Sequence, residues 1–207
     1  MISLYYAPPS IFGRKVLAVL EEKGLDYEIK PMSFAERDMD KPDYLRLNPN
    51  GEVPTLVDEN FAVYESTAII EYLNDEYPEP PLLPEDSEGR ARVRMIEDYC
   101  DLHLFKEIVR CVLKKLVAKE EITEEDQKAL REKIKRIESY LGPQDFLAGT
   151  FSFADCAFMA AAASLEALGV LDTVCTSGPL KRYIDRLKQR KGWKGASLLT
   201  IETSVNS

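Results

Sequence analysis

The sequence predicts an α/β unit over residues 1–78, a linker over 79–87 and an all-α helical bundle over 88–207. Three observations carry this reading. Short β-prone runs alternate with helical periodicity as far as Tyr77. The stretch Pro78-Glu79-Pro80-Pro81-Leu82-Leu83-Pro84 then stiffens the path and forbids helix continuation. Beyond it, every periodic segment has helical spacing.

In chain order, Ser3-Leu4-Tyr5-Tyr6 is a β-prone run stopped by Pro8-Pro9. Ser10 is placed to cap a helix with apolar positions Val16, Leu17, Val19 and Leu20, and Gly24 suits the residue after its end. Tyr27-Glu28-Ile29-Lys30 reads as a second strand. Residues 31–47 are polar and irregular, with one short helix near Pro42–Leu47. Asn48-Pro49-Asn50-Gly51 is a dense turn signal, since Asn and Gly tolerate positive φ and proline fixes its own. Thr55-Leu56-Val57 and Phe61-Ala62-Val63-Tyr64, parted by Asp58-Glu59-Asn60, read as a hairpin. Ser66 is expected to cap a helix carrying Ile69, Ile70 and Leu73. The order β-α-β then β-β-α on one sheet is thioredoxin-like.

In the second half, a long helix is expected from Asp86 or Ser87 to about Lys119. Thr123 and the acids behind it open another, which Gly142-Pro143 ends. Ser152 and Asp155 form a capping box ahead of Cys156-Ala157-Phe158-Met159. The nearly all-apolar segment that follows, Ala160 to Leu168, should be the buried central helix. The acid entering it is assigned to folding. A late helix spans 179–190, with Trp193 just after it. The polar tail from Thr200 is expected to be disordered.

Composition narrows the function classes. The 207 residues are 45% apolar and 30% charged, as in ordinary globular proteins. No apolar run approaches a membrane span, and from Met1-Ile2-Ser3 no secretory leader is expected. Cys100, Cys111, Cys156 and Cys175 lie far apart, so reduced thiols in a cytoplasmic protein are expected. With His103 the single histidine, neither a zinc site nor a His-based triad is expected. Residues 1–84 hold the whole net charge of −9, which argues against nucleic acid and anionic membrane as partners.

Proline at the mouth of a strand removes a ladder donor. A cis Val53–Pro54 bond would let the Val53 N–H and C=O turn outward to pair with an extended peptide. The helix start at Ser66 would offer N–H groups to a carboxylate, and Glu65 an anion for an ammonium. Those features describe a receptor for a short zwitterionic peptide. The same residues are equally compatible with a turn, a hairpin and a capped helix that bind nothing.

The run Asn48-Pro49-x-Gly51-x-Val53-Pro54-x-Leu56, followed by Glu65-Ser66, closely resembles the glutathione-binding half of glutathione S-transferases. Leu147-Ala148-Gly149 with Ser152 and Asp155 is similar to that family's structural capping box. The resemblance implies the glutathione transferase architecture, with an α/β thioredoxin-like N-terminal domain and an all-α C-terminal domain. It implies an enzyme that activates the glutathione thiol as thiolate and conjugates it to small hydrophobic electrophiles. Glutathione is then co-substrate, no further cofactor is expected, and relatives are usually homodimers.

Ser10-Ile11-Phe12-Gly13-Arg14-Lys15-Val16 looks like the S-x-x-x-R-x-V segment of serine-type members, so Ser10 is implied as the thiol donor. Tyr5 and Tyr6 are rivals, of which alternation lets at most one face the site. Ser66 would bind the γ-glutamyl carboxylate, Glu65 the α-ammonium, and the Val53 backbone beside Pro54 the cysteinyl unit. The glycine carboxylate usually meets a cation or amide just before the Val-Pro pair, where this chain has Glu52. Lys41 or Arg37 is expected to supply the missing charge. Arg14 and Lys15 would add positive potential from a solvated helix face. Pro8, Pro9, Ile11 and Phe12, with Tyr99, His103 and Leu104 and less so Cys100, are expected to wall the electrophile pocket. The alternative is a non-catalytic scaffold, as in stringent-starvation-type proteins, and Glu52 leaves room for it.

Overall fold

The computed structural model of the protein describes residues 1–197; the expected disorder from Thr200 falls outside them. Strands β1 (Ile2–Tyr6), β2 (Tyr27–Pro31), β3 (Thr55–Asp58) and β4 (Phe61–Tyr64) form one sheet in the order β2-β1-β3-β4. β1 and β2 run parallel, while β3 is antiparallel to both β1 and β4. The register pairs Tyr6 with Pro31, Tyr5 with Thr55 and Thr55 with Tyr64. The ends of β1, β2 and β4 and the start of β3 therefore share one sheet edge.

Helix α1 (Ile11–Lys23) crosses between β1 and β2, and α3 (Ser66–Glu76) follows β4. The short α2 (Pro42–Leu45) lies in the irregular segment, as its sequence suggests. Tyr5 faces α2, with its ring 5.6 Å from that of Tyr44. Tyr6, on the opposite face, is fully buried. Its ring lies so close to α1 that a Cβ on Gly13 would stand 2.3 Å from it. Glycine at that position is what lets the strand and helix meet.

The helical half begins at α4 (Ser87–Tyr99), capped by Asp86, whose side chain accepts from the Gly89 N–H at 2.7 Å. One π-helical turn over Cys100–Leu104 joins α4 to α5 (Phe105–Leu116). The long helix expected to reach about Lys119 thus ends at Leu116. Helix α6 (Glu124–Leu141) opens on the Thr123–Asp126 capping box. In α7 (Phe153–Ala167) every residue from Phe153 to Leu165 is buried. Asp155 at its start accepts from the Ser152 and Leu147 N–H groups and from Tyr183 Oη, at 2.9, 3.1 and 2.6 Å. That use of the carboxylate is structural, as the sequence implies.

The late segment forms three helices: α8 (Leu171–Val174), α9 (Gly178–Lys188) and α10 (Lys191–Ser197), which contains Trp193. Helix α10 returns to the α/β half and lies on α1. Glu22 of α1 accepts from the Gly192 N–H at 2.9 Å and pairs with Arg190 at 2.7 Å. A Cβ on Gly195 would stand 2.5 Å from the Leu17 carbonyl oxygen. Gly195→Ala should therefore cost about 1–3 kcal/mol through overpacking, read as a lower denaturant midpoint at unchanged slope.

This covering corrects one expectation. Arg14 and Lys15 read as a solvated face in the sequence, yet they are 2% and 0% exposed. Helix α1 packs against α3, α7 and α10, and every residue on it except Phe12 and Glu21 is buried. Lys23 is buried too and donates to the carbonyls of Tyr77 and Pro80 at 2.7 and 2.9 Å, which ties down the proline-rich segment.

Candidate functional site

The candidate site lies on the sheet edge where β1 gives way to α1, β3 begins and β4 gives way to α3. Ser10 is the N-cap of α1, and its hydroxyl accepts from the Gly13 N–H at 3.2 Å. A hydroxyl has two lone pairs and one proton. Capping uses a lone pair, so the Ser10 proton remains available to a sulfur anion, and the two roles do not compete.

The Val53–Pro54 bond is cis, as expected from the sequence. Neither main-chain group of Val53 has a hydrogen-bond partner among the described residues. The turn before it is held by a knot of side chains. Asn48 Nδ2 donates to the Glu52 carbonyl at 2.8 Å and to Thr55 Oγ1 at 3.1 Å, and Asn48 Oδ1 accepts from the Asn50 N–H at 3.0 Å. Tyr44 Oη also donates to the Glu52 carbonyl and lies 2.8 Å from Thr55 Oγ1. The turn signal pointed to Asn48; nothing in the sequence pointed to Tyr44 or Thr55.

At α3 the cap differs from expectation. Glu65, at φ 67°, is the N-cap and Ser66 is the first helical residue. The Glu65 carbonyl accepts from the Ile69 N–H at 2.9 Å, while its side chain makes no capping bond. Serine is the better capping side chain, but the left-handed backbone at Glu65 starts the helix one residue early. The first N–H groups of α3 are thus left without a helical acceptor at the sheet edge. Asn50 Nδ2 donates to Glu65 Oε1 at 3.2 Å, linking the turn to this tip.

Family profiles match both halves of the chain: the glutathione S-transferase N-terminal domain over residues 9–76 and the C-terminal domain over 99–190. The chain belongs to the glutathione S-transferase family. A stringent starvation protein A homolog of Haemophilus ducreyi is 30% identical over 196 residues, 92% of this chain and 86% of that one. Glutathione S-transferase Z2 of Arabidopsis thaliana is 44% identical over 90 residues, 44% of this chain and 40% of that one. A delta-class glutathione transferase of Nilaparvata lugens superposes with a TM-score of 0.85 at 27% identity, covering 96% of this chain and 93% of that one.

At this sheet edge the structure brings together several of the residues singled out above. Ser10, Val53, Glu65 and Ser66 share the edge. Phe12 meets α5, its ring edge-on to Phe105 at 5.3 Å, and Ile11 is buried. Tyr99 packs against His103 and against Tyr140 of α6, and Tyr99 Oη donates to the Lys133 carbonyl at 3.2 Å. Phe105 is the aromatic that the sequence reading missed, since one more apolar position on a helix carries no distinguishing signal. The cations expected to replace a missing charge are engaged: Lys41 binds Asp38 at 2.5 Å, and Arg37 binds Asp40 at 2.6 Å. Glu52 is exposed, and its side chain has no partner among the described residues.

Behind the α3 tip lies a buried charged cluster that joins the two halves. Lys15 Nζ binds Glu97, Asp101 Oδ2 at 2.6 Å and Thr67 Oγ1 at 3.1 Å. One cation faces two carboxylates. Burial, with Glu97 beside it, pushes the Asp101 carboxyl up to about 6 despite Lys15. Native Asp101 therefore holds its proton to higher pH than the unfolded chain does, so its contribution to stability falls as pH rises from about 4 to about 6. Asp101→Asn should flatten that limb relative to the parent and cost little at pH 7.5, as followed by denaturation across pH.

Proposed function

We propose that the protein is a glutathione transferase that uses Ser10 to hold the glutathione thiol as thiolate for attack on small hydrophobic electrophiles. The supporting observation is a conjunction at one sheet edge: a capping hydroxyl with its proton to give, an unpaired Val53 main chain, and the bare α3 tip beside Glu65. In this reading the γ-glutamyl carboxylate takes the N–H groups at Ser66 and the ammonium meets Glu65. The cysteinyl unit pairs with Val53, which points its sulfur toward Ser10. A free thiol has a pKa of about 8.5, and each unit of depression needs about 1.4 kcal/mol of preference for the anion. A hydroxyl donor and the positive end of α1 both supply such preference.

The same reading ranks Tyr6, packed on Gly13, and Tyr5, turned toward α2, below Ser10 as donors. It takes residues 1–78 as the glutathione-binding domain, 79–87 as linker and the remainder as the helical domain. The electrophile would sit between the halves, beside Pro9 and Phe12. A homodimer is part of the proposal, and sedimentation at 23.5 kDa would count against it.

The test is retention on immobilised glutathione together with conjugation of a generic aromatic chloride. A second reading, a transferase-like scaffold for protein partners, has one specific observation behind it. The stringent starvation homolog matches 92% of the chain at 30% identity, although a plant glutathione S-transferase matches 95% of it at 28%. No binding at millimolar glutathione would decide for the scaffold.

A further inference from the structure

The far end of the proposed site is built unlike the near end. The sheet order places the α3 tip beyond β4, then Val53 just ahead of β3, then the end of β1 before Ser10, and last the end of β2 at Pro31. A peptide anchored by one carboxylate at α3 and paired along Val53 runs across this edge toward the β2 side. Its other end comes to the 31–47 segment and the turn that presents Glu52. A cavity of about 270 Å³ opens in the 31–47 segment, lined by Tyr5, Met32, Asp38, Lys41, Tyr44 and Leu47 among others; Glu52 adjoins it through Tyr44, which donates to the Glu52 carbonyl.

Among the described residues, this region offers no unengaged cation. Arg37, Lys41 and Arg46 are each paired, with Asp40, Asp38 and Asp43 respectively. Glu36 and Glu52 are exposed acids with no cation of their own among the described residues. Glu52 holds the turn through its carbonyl, which accepts from Asn48 and Tyr44, so its carboxylate is free to act on whatever lies in front of it. A second carboxylate brought here would lose its water and meet net negative charge. An uncharged or cationic group would not, and the cavity leaves room for one.

We infer that the site favours γ-glutamyl-cysteinyl thiols whose C-terminal end is capped, as an ester, an amide or an amine conjugate, over free glutathione, with Glu52 as the discriminating residue. The inference rests on the proposed transferase reading and deepens it. Screened charges of this kind are worth only a few-fold each, so the preference is modest and must be read by comparison.

The test compares glutathione with its glycyl monoethyl ester as thiol substrate for the same aromatic chloride, in the parent protein and in Glu52→Lys. The variant leaves the carbonyl that holds the turn in place and should fold. Two results are expected. The ester's kcat/KM in the parent equals or exceeds that of glutathione. Glu52→Lys raises kcat/KM for glutathione about fivefold, mostly through KM, and moves the ester by less than about twofold. A parent that handles glutathione better than the ester overturns the inference, as does a variant that changes both thiols alike or neither, while the transferase reading stands. A protein that neither retains nor conjugates either thiol removes that reading, and the inference with it.

Discussion

Ser10→Ala should raise the pKa of the bound glutathione thiol and cut turnover at least about tenfold. Alanine keeps the start of α1 but has no proton to give the sulfur, so the anion loses a donor aimed at it. The hydroxyl is well primed in the parent, because accepting from the Gly13 N–H polarises its own O–H. Losing the cap also costs about 1 kcal/mol of stability. The two effects separate cleanly. Thiolate absorbance of the glutathione complex across pH reports the first, and the midpoint of thermal unfolding reports the second. Tyr6→Phe should leave the thiol pKa alone, since that ring lies buried against Gly13. If Tyr6→Phe shifts it and Ser10→Ala does not, the donor has been misassigned.

Lys15→Met should destabilise the fold by about 3–5 kcal/mol, the usual cost of stranding buried charge. Glu97 is 2% exposed and the Asp101 side chain 14%, and Lys15 is the cation that holds them together. Methionine fills the space of the stem and leaves two carboxylates facing each other. The loss should appear at pH 7.5 as a fall in denaturant midpoint and shrink on acidification, as one carboxyl takes up a proton. Adding Glu97→Gln and Asp101→Asn to Lys15→Met should restore most of the stability. If the triple variant is no better than the single, packing of the lysine stem is the source of the loss, and the charges are not.

Much of this molecule was legible because local chemistry decided it. Ser10, Asp86 and Thr123 start helices where their side chains can cap, and proline and glycine mark the turn at Asn48–Gly51. Asp155 could be assigned to folding because an acid opening an apolar helix has few other uses. What escaped depended on the rest of the molecule. Arg14 and Lys15 look like a solvated face until the fold buries them, Lys15 against Thr67, Glu97 and Asp101. The engaged state of Lys41 and Arg37 is local, yet i,i+3 partners within an irregular segment cannot be told from free ones by spacing alone. The cap of α3 fell on Glu65, where a backbone at φ 67° puts the carbonyl that accepts from Ile69 one residue ahead of the serine. Phe105 gave no warning, since helical periodicity marks it as apolar and says nothing of which neighbour it meets.

The return of α10 onto α1 bears on how the chain is made. Glu22 emerges from the ribosome early, and its partners Arg190 and Gly192 come 168 and 170 residues later. Until they arrive, the helix that carries Ser10 keeps one flank bare, with a carboxylate waiting for its cation. A message truncated before codon 190 would yield a product whose first helix is never sealed. The cell's proteases, more than any loss of a functional group, would decide the fate of that product.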